Sequence, residues 1–341
     1  MFNKDMILHN KPTIGDQESV AVSNVLDSNY ISQGPEVKRF ENDFCDFLGL
    51  PKQHAVALSS GTSALFMALW VLDAKRKKIA LPVYACSALR NAVAMAQAEE
   101  VLIDVAKHSP NICLDQLKNS NADIAIIPHM FGLPNDIQNI ENIAIIEDCA
   151  QSLGALIGSK KTGLVGKVGI FSFYATKLIT SGGQGGMFVS EDKDLVDKVR
   201  DYRDFDCRRD KKHRFNFQMT DVQASIGRVQ LKKLPDFIAR RQKIFSMYKE
   251  AGFDLIESKN NTPVYYRAII RVDNPVEIKE KLLEQGVKVI IPIEDWELLG
   301  DGLEYKNAYN LTQTTLSIPI YPSLTNHEVR NIINLLNGVI K

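Results

Sequence analysis

The stretch that most constrains this chain runs from Ile143 to Ser190. It opens with an apolar strand, Ile143-Ala144-Ile145-Ile146, that passes directly into Glu147-Asp148-Cys149-Ala150-Gln151. A hairpin follows, then a second apolar run, Gly169-Ile170-Phe171-Ser172-Phe173-Tyr174, which leads into Ala175-Thr176-Lys177. The glycine-rich segment Gly182-Gly183-Gln184-Gly185-Gly186 then opens a third strand, Met187-Phe188-Val189. Apolar strands that run straight into charged residues end at the carboxyl edge of a sheet. That edge is where open α/β sheets bind ligands.

A lysine and a strand-end aspartate at one such edge suggest a definite chemistry. A lysine amine condenses with a carbonyl cofactor as a Schiff base, and a carboxylate keeps a pyridinium nitrogen protonated. Pyridoxal 5'-phosphate needs both groups and a seat for its phosphate. Lys177 and Asp148 are the candidates. Each taken alone reads as well as a surface lysine and an ordinary strand end; the whole string decides between the readings.

Upstream, Val56-Ala57-Leu58 reads as a strand, and Ser59-Ser60-Gly61-Thr62 opens a helix over Ser63 to Leu72 that is apolar all round and therefore buried. Small residues between a strand and a helix leave backbone N–H groups facing outward, a ready anion site. Between Lys78 and Ile146 strands are expected at Ile79–Val83, Val101–Asp104, Asp123–Ile127 and Ile143–Ile146, with helices at Ser87–Ala96 and Leu114–Asn119. This alternation predicts an α/β fold whose sheet is mostly parallel and covered by helices on both faces. Helices are also expected at Thr13–Ser28, Glu36–Leu48, Asp194–Phe205 and Asp221–Leu234, and a new one from Pro235. The remainder alternates strand (Val264–Val272), helix (Val276–Gln285), strand (Val287–Ile293), strand (Leu316–Tyr321) and a last helix behind the capping pattern Thr325-Asn326-His327-Glu328. A domain boundary is expected near Pro235, dividing a large cofactor-binding domain (1–235) from a smaller α+β C-terminal domain (236–341).

With 341 residues the chain is long enough for such a pair of domains. Its 41 basic and 41 acidic residues cancel, which argues against bulk attraction to nucleic acid or a membrane surface. The one dense basic run, Arg208 to Arg214, reads most simply as a solvated loop and alternatively as an anion-binding loop for a nucleotide diphosphate. Five cysteines without metal-ligand spacing read as free thiols of a reducing compartment. Met1 to Met6 offers no apolar signal core, and no run approaches a membrane span, so a cytoplasmic protein is expected.

The motifs together resemble the DegT/DnrJ/EryC1/StrS family of sugar aminotransferases, fold-type I pyridoxal-phosphate enzymes. The resemblance rests on IIEDCAQSLGA and FSFYATKLITSGGQGGM. It is extended by Tyr30 to Val37 (YISQGPEV), Ala55 to Leu65 (AVALSSGTSAL), Asn216 to Ala224 (NFQMTDVQA) and Leu316 to Thr325 (LSIPIYPSLT). It implies that Lys177 carries the cofactor as a Schiff base and later acts as general base. Asp148 pairs with the pyridinium, and Gln151 hydrogen-bonds the ring hydroxyl. Gly61, Thr62 and Ser172 hold the phosphate, and Asn216 adds a phosphate ligand from the neighbouring subunit, so that the site needs a homodimer. The aromatic residue that stacks on the cofactor in the family is replaced here by Cys86, with Tyr84 two residues earlier as the other candidate. His129 matches a family histidine and reads first as structural. The implied reaction is a ping-pong transamination from L-glutamate to a nucleotide-linked keto-deoxysugar, for a surface glycan such as lipopolysaccharide or for a natural product. The family's HYxPLH-like segment corresponds to Val289 to Trp296, which lacks both histidines; this puts the acceptor's identity in doubt. Two alternatives are a cofactor-binding regulator and a sugar dehydratase, although the dehydratases replace the lysine that stands here as Lys177.

Overall fold

The computed structural model describes residues 6–258 and 260–340. Residues 1–5, on which the signal-free reading partly rests, lie outside them. Two helices come first: α1 (Asp16–Ser28) and α2 (Pro35–Leu48). The latter turns Val37, Phe40, Phe44 and Leu48 inward at helical spacing, and its Phe44 ring meets Phe171 edge-on. Then β1 (Ala55–Leu58), α3 (Gly61–Val71), β2 (Lys78–Pro82), α4 (Ala88–Met95), β3 (Glu99–Ile103), α5 (Leu114–Lys118), β4 (Ile124–Pro128) and β5 (Ala144–Asp148) alternate as the apolar runs predict. A small hairpin, β6 (Leu156–Ile157) with β7 (Lys160–Lys161), precedes β8 (Val168–Ser172) and β9 (Gly186–Val189).

Seven of these strands form one mixed sheet in the order β1-β9-β8-β5-β4-β2-β3. From β8 to β3 the pairs are parallel; β9 runs antiparallel to both β1 and β8. Every residue of β4 is buried, as expected of a strand covered on both faces. The fold is the α/β architecture expected. The carboxyl ends of β5 and β8, carrying Asp148 and Ser172, pair side by side and so fix two of the proposed site residues at one edge.

After α6 (Lys193–Arg203), the chain forms a single helix of 30 residues, α7 (Asp221–Glu250), opened by Thr220, whose hydroxyl accepts from the Gln223 N–H. Sequence reading had divided this helix at Pro235, which lacks an N–H and interrupts the helical ladder. The structure carries it through, because its buried face is continuous: Leu231 and Leu234 precede the proline, and Phe237, Arg241, Ile244, Phe245 and Tyr248 follow it. The last of these pack with β10 (Ala268–Arg271), α8 (Pro275–Glu284), β11 (Thr315–Ile318) and α10 (Asn326–Val339) in a separate core that Ile7 joins. Between α8 and β11 lies α9 (Lys306–Thr314), which the sequence reading did not resolve. The strand expected at Val287–Ile293 is absent. Among the described residues that segment makes only single bridges, Val287 to Ile7 and Ile290 to Ser317.

Candidate active site

A cavity of about 700 Å³ opens at the carboxyl edge of the sheet. Seven of the eight residues singled out from sequence line it: Gly61, Thr62, Cys86, Asp148, Gln151, Ser172 and Lys177. The eighth, Asn216, is exposed and outside it, its side-chain oxygen accepting from the Gln218 N–H. Of the two residues considered for stacking, Cys86 is exposed and faces the cavity. Tyr84 is fully buried, its ring edge-on to Phe131 6.2 Å away, and it does not line the cavity.

One end of the cavity is the start of α3. Ser60 caps this helix, its hydroxyl accepting from the Ser63 N–H at 3.0 Å. Among the described residues the N–H groups of Gly61 and Thr62 have no acceptor, and they point with the positive end of the helix. A Cβ on residue 61 would come within 2.8 Å of the Ser172 Cβ, so glycine is what lets the serine hydroxyl sit beside these donors. Two free N–H groups, a hydroxyl and a helix N-terminus fit a phosphate group. The glycine-rich segment has a related task. A Cβ on Gly186 would lie 2.2 Å from the Ser60 carbonyl oxygen, so β9 passes against the same turn. The clearance there is for protein backbone.

The other end holds the charges. Asp148 is buried, and among the described residues its carboxylate accepts one hydrogen bond, from the Ala150 N–H at 3.0 Å. Burial pushes its pKa up from the ordinary carboxylate value, while the Ala150 N–H and Lys177 pull it partly back. A protonated ring nitrogen set against it would add the attraction that the protein alone leaves short. Lys177 is half-buried, its ammonium 5.4 Å from the centroid of the Tyr266 ring, and no carboxylate among the described residues forms an ion pair with it. Gln151 accepts the Phe131 N–H with its side-chain oxygen, which fixes its amide at the cavity wall. These donors, this carboxylate and this amine fit pyridoxal 5'-phosphate.

Sequence reasoning missed Tyr266 and Arg267, which form part of the wall. The signal was there: an arginine interrupts the apolar run from Val264 to Ile270. Burial pushes the Tyr266 phenol up, but Lys177, Arg267, a hydrogen bond with the Thr176 side chain and Arg241 together bring it down to about 8. From the segment Val289 to Trp296, Pro292, Ile293 and Trp296 line the cavity, followed by Glu297, Leu298 and Leu299.

Two nearby features are structural. His129 is fully buried; its Nδ1 accepts from the Asn135 N–H and its Nε2 donates to Glu147 at 3.0 Å. Glu147 and Cys149 come within 4.8 Å of it, as metal ligands would. Glu147, however, also accepts from the N–H groups of Gly163, Val165 and Gly166, which leaves its oxygens fully engaged. In the basic run, Arg214 is paired with Asp201 and Asp210, and Arg208 with Asp201, so the loop neutralises much of its own charge. No two of the five cysteines are bonded.

A helix-flanked mixed sheet with a lysine, a buried aspartate and a phosphate seat at its carboxyl edge defines an aminotransferase-like cofactor site. The chain belongs to the DegT/DnrJ/EryC1/StrS aminotransferase family, whose family model matches residues 12–337. It is a transaminase, and its cofactor is pyridoxal 5'-phosphate. Among relatives, it is 28% identical to the GDP-perosamine synthase of Escherichia coli O157:H7, over 96% of each chain. It is 26% identical to a dTDP-4-dehydro-2,3,6-trideoxy-D-glucose 4-aminotransferase of Saccharopolyspora spinosa, over 96% of this chain and 95% of that one. The solved structure of the aminotransferase TlmJ from Streptoalloteichus hindustanus superposes with a TM-score of 0.91 at 26% identity, covering 98% of both chains. No helix among the described residues is long and apolar enough to cross a membrane.

Proposed function

We propose that this transaminase moves an amino group from L-glutamate to a nucleotide-linked keto-deoxysugar, with Lys177 as the amine that carries the cofactor. The observation that carries the reading is the convergence of Lys177, Asp148 and the Gly61–Thr62–Ser172 phosphate seat on one cavity. The named activities of the two curated relatives support a nucleotide-linked sugar as acceptor. The mouth formed by Trp296 and Glu297, in place of the family's histidine segment, supports an acceptor that differs from the usual ones.

When bound, the cofactor supplies an electron sink that makes the donor's Cα–H acidic. The chain's own residues do the rest. Asp148 holds a proton on the ring nitrogen, and Gln151 orients the ring hydroxyl. Gly61, Thr62 and Ser172 would anchor the phosphate, and Cys86 would line the cavity beside the cofactor. A free Lys177 amine would act as general base toward the donor's Cα–H. Asn216 is exposed on its own chain, which supports its donation to a neighbouring subunit and hence a homodimer. The product would enter a surface glycan or a natural product made in the cytoplasm. A division into domains 1–235 and 236–341 is part of the same proposal, supported by the separate core around β10 and β11.

The test is Lys177→Ala. The variant should fold, show no absorbance of a lysine-bound cofactor, and lose transamination. After borohydride treatment, the wild type should yield a labelled peptide containing Lys177. Retained turnover in the variant, or a label elsewhere, would overturn the assignment.

A further inference from the structure

We infer that Arg267 binds a carboxylate of the amino-acid donor, an inference that rests on the donor reading just given. Arg267 lines the cavity together with Lys177 and Asp148, one residue before β10. Of the nearby arginines two are paired with acids; the third, Arg241, does not line the cavity, and its Nε is likewise buried without a partner. Arg90 is paired with Glu100 at 2.8 Å, Arg271 with Asp254 at 2.9 Å, and buried Arg241 donates to the carbonyls of Tyr266 and Ile320. Arg267 has no carboxylate within ion-pair distance among the described residues. It donates one hydrogen bond, to the Pro292 carbonyl at 3.1 Å, and its Nε is buried with no partner.

A guanidinium carries five donors and a charge that never leaves it. Taking it half out of water with one neutral acceptor is costly unless a ligand completes its bonding. Its surroundings select the ligand. The rings of Phe131 and Tyr266 each lie 5.8 Å from its central carbon, so aromatic rings and no paired acid among the described residues border the guanidinium. A planar carboxylate matches the guanidinium fork with two parallel hydrogen bonds. Placement points the same way. The Lys177 ammonium and the Arg267 guanidinium both flank the ring of Tyr266, at 5.4 and 5.8 Å from its centroid. An amino acid whose nitrogen takes the place of the lysine nitrogen holds its carboxylates a few bonds away, inside the cavity that Arg267 also lines. The cofactor phosphate does not need this cation, because the α3 turn and Ser172 already offer it donors. The diphosphate of the acceptor is the competing anion.

The experiment uses the holoenzyme and its Arg267→Gln and Arg267→Lys variants. The absorbance change of the bound cofactor is followed as L-glutamate is added, and glutarate, which cannot react, is titrated by calorimetry. In Arg267→Gln the half-saturating glutamate concentration should rise about 10- to 100-fold, the range of a lost charged hydrogen-bond pair, and glutarate should weaken equally. Arg267→Lys keeps the charge without the fork and should fall between, which guards against a folding defect in the neutral variant. Cofactor content and half-saturation by the keto-sugar nucleotide should stay put. Comparison of 4-aminobutyrate with norvaline assigns the carboxylate: the variant loses the preference against whichever analogue lacks the carboxylate that Arg267 holds. Unchanged glutamate and glutarate binding would overturn the inference, as would a defect confined to the sugar nucleotide or to cofactor retention. If the wild-type holoenzyme reacts with no amino acid, the donor reading fails instead; glutarate binding that depends on Arg267 would still stand, and its absence would end the inference too.

Discussion

Glu147 and Asp148 are neighbours on β5, both acidic and both buried, yet they have opposite fates. Strand alternation points them to opposite faces of the sheet. Glu147 meets four donors, from His129, Gly163, Val165 and Gly166. Burial pushes its pKa up, but these bonds outweigh it, and the pKa ends below the ordinary carboxylate value. Asp148 meets one donor and its pKa ends above that value. The first carboxylate is complete within the protein and serves the fold. The second is left incomplete and faces a cavity, the mark of a group that a cationic ligand finishes.

The sharpest way to break this contrast is Asp148→Ala. Transamination should fall by about 10²- to 10³-fold, the scale for removing one preorganised charge partner, with little change in the unfolding midpoint. Steady-state kinetics and a denaturant titration on the same preparation check both halves. Glu147→Ala should show the converse. It strands a buried histidine and three backbone N–H groups, so stability should drop by about 3 kcal/mol by denaturant unfolding, while the molecules that remain folded still take up cofactor. A large activity loss with unchanged stability would erase the distinction.

The smallest effect expected is spectroscopic. In cofactor-free protein, ultraviolet difference absorbance should show one tyrosine ionising at about 8, absent in Tyr266→Phe. The sign follows from the depressed pKa. Between pH 8 and 10 the folded chain has released a proton that the unfolded chain retains, so this group adds stability as pH rises. That contribution is lost as pH falls through 8.

Local pattern was enough for much of this. The strands from Ala55 to Asp148 lie where continuous apolar runs put them, since burial on both faces permits little else. The site residues near strand ends were legible for the same reason: a charge that interrupts an apolar run sits at an edge. The errors lie where distant packing overrules local preference. Pro235 should end a helix, but Leu234 and Phe237 on either side of it are buried in one core. Val287–Ile293 is apolar enough for a strand, but lacks a neighbour to pair with along its length.

By itself, then, the order of residues determined the alternating sheet, the edge at which its cavity opens, and the placing of a lysine and an aspartate in the lining of that cavity. Only tertiary structure decided which acid is satisfied, which thiol or phenol faces the cavity, and that Arg267 shares that cavity with Lys177 and has no acidic partner among the described residues. Periodicity reports which side of an element is buried. It says nothing about which donors from other parts of the chain arrive at a given oxygen, and that is what separates Glu147 from Asp148.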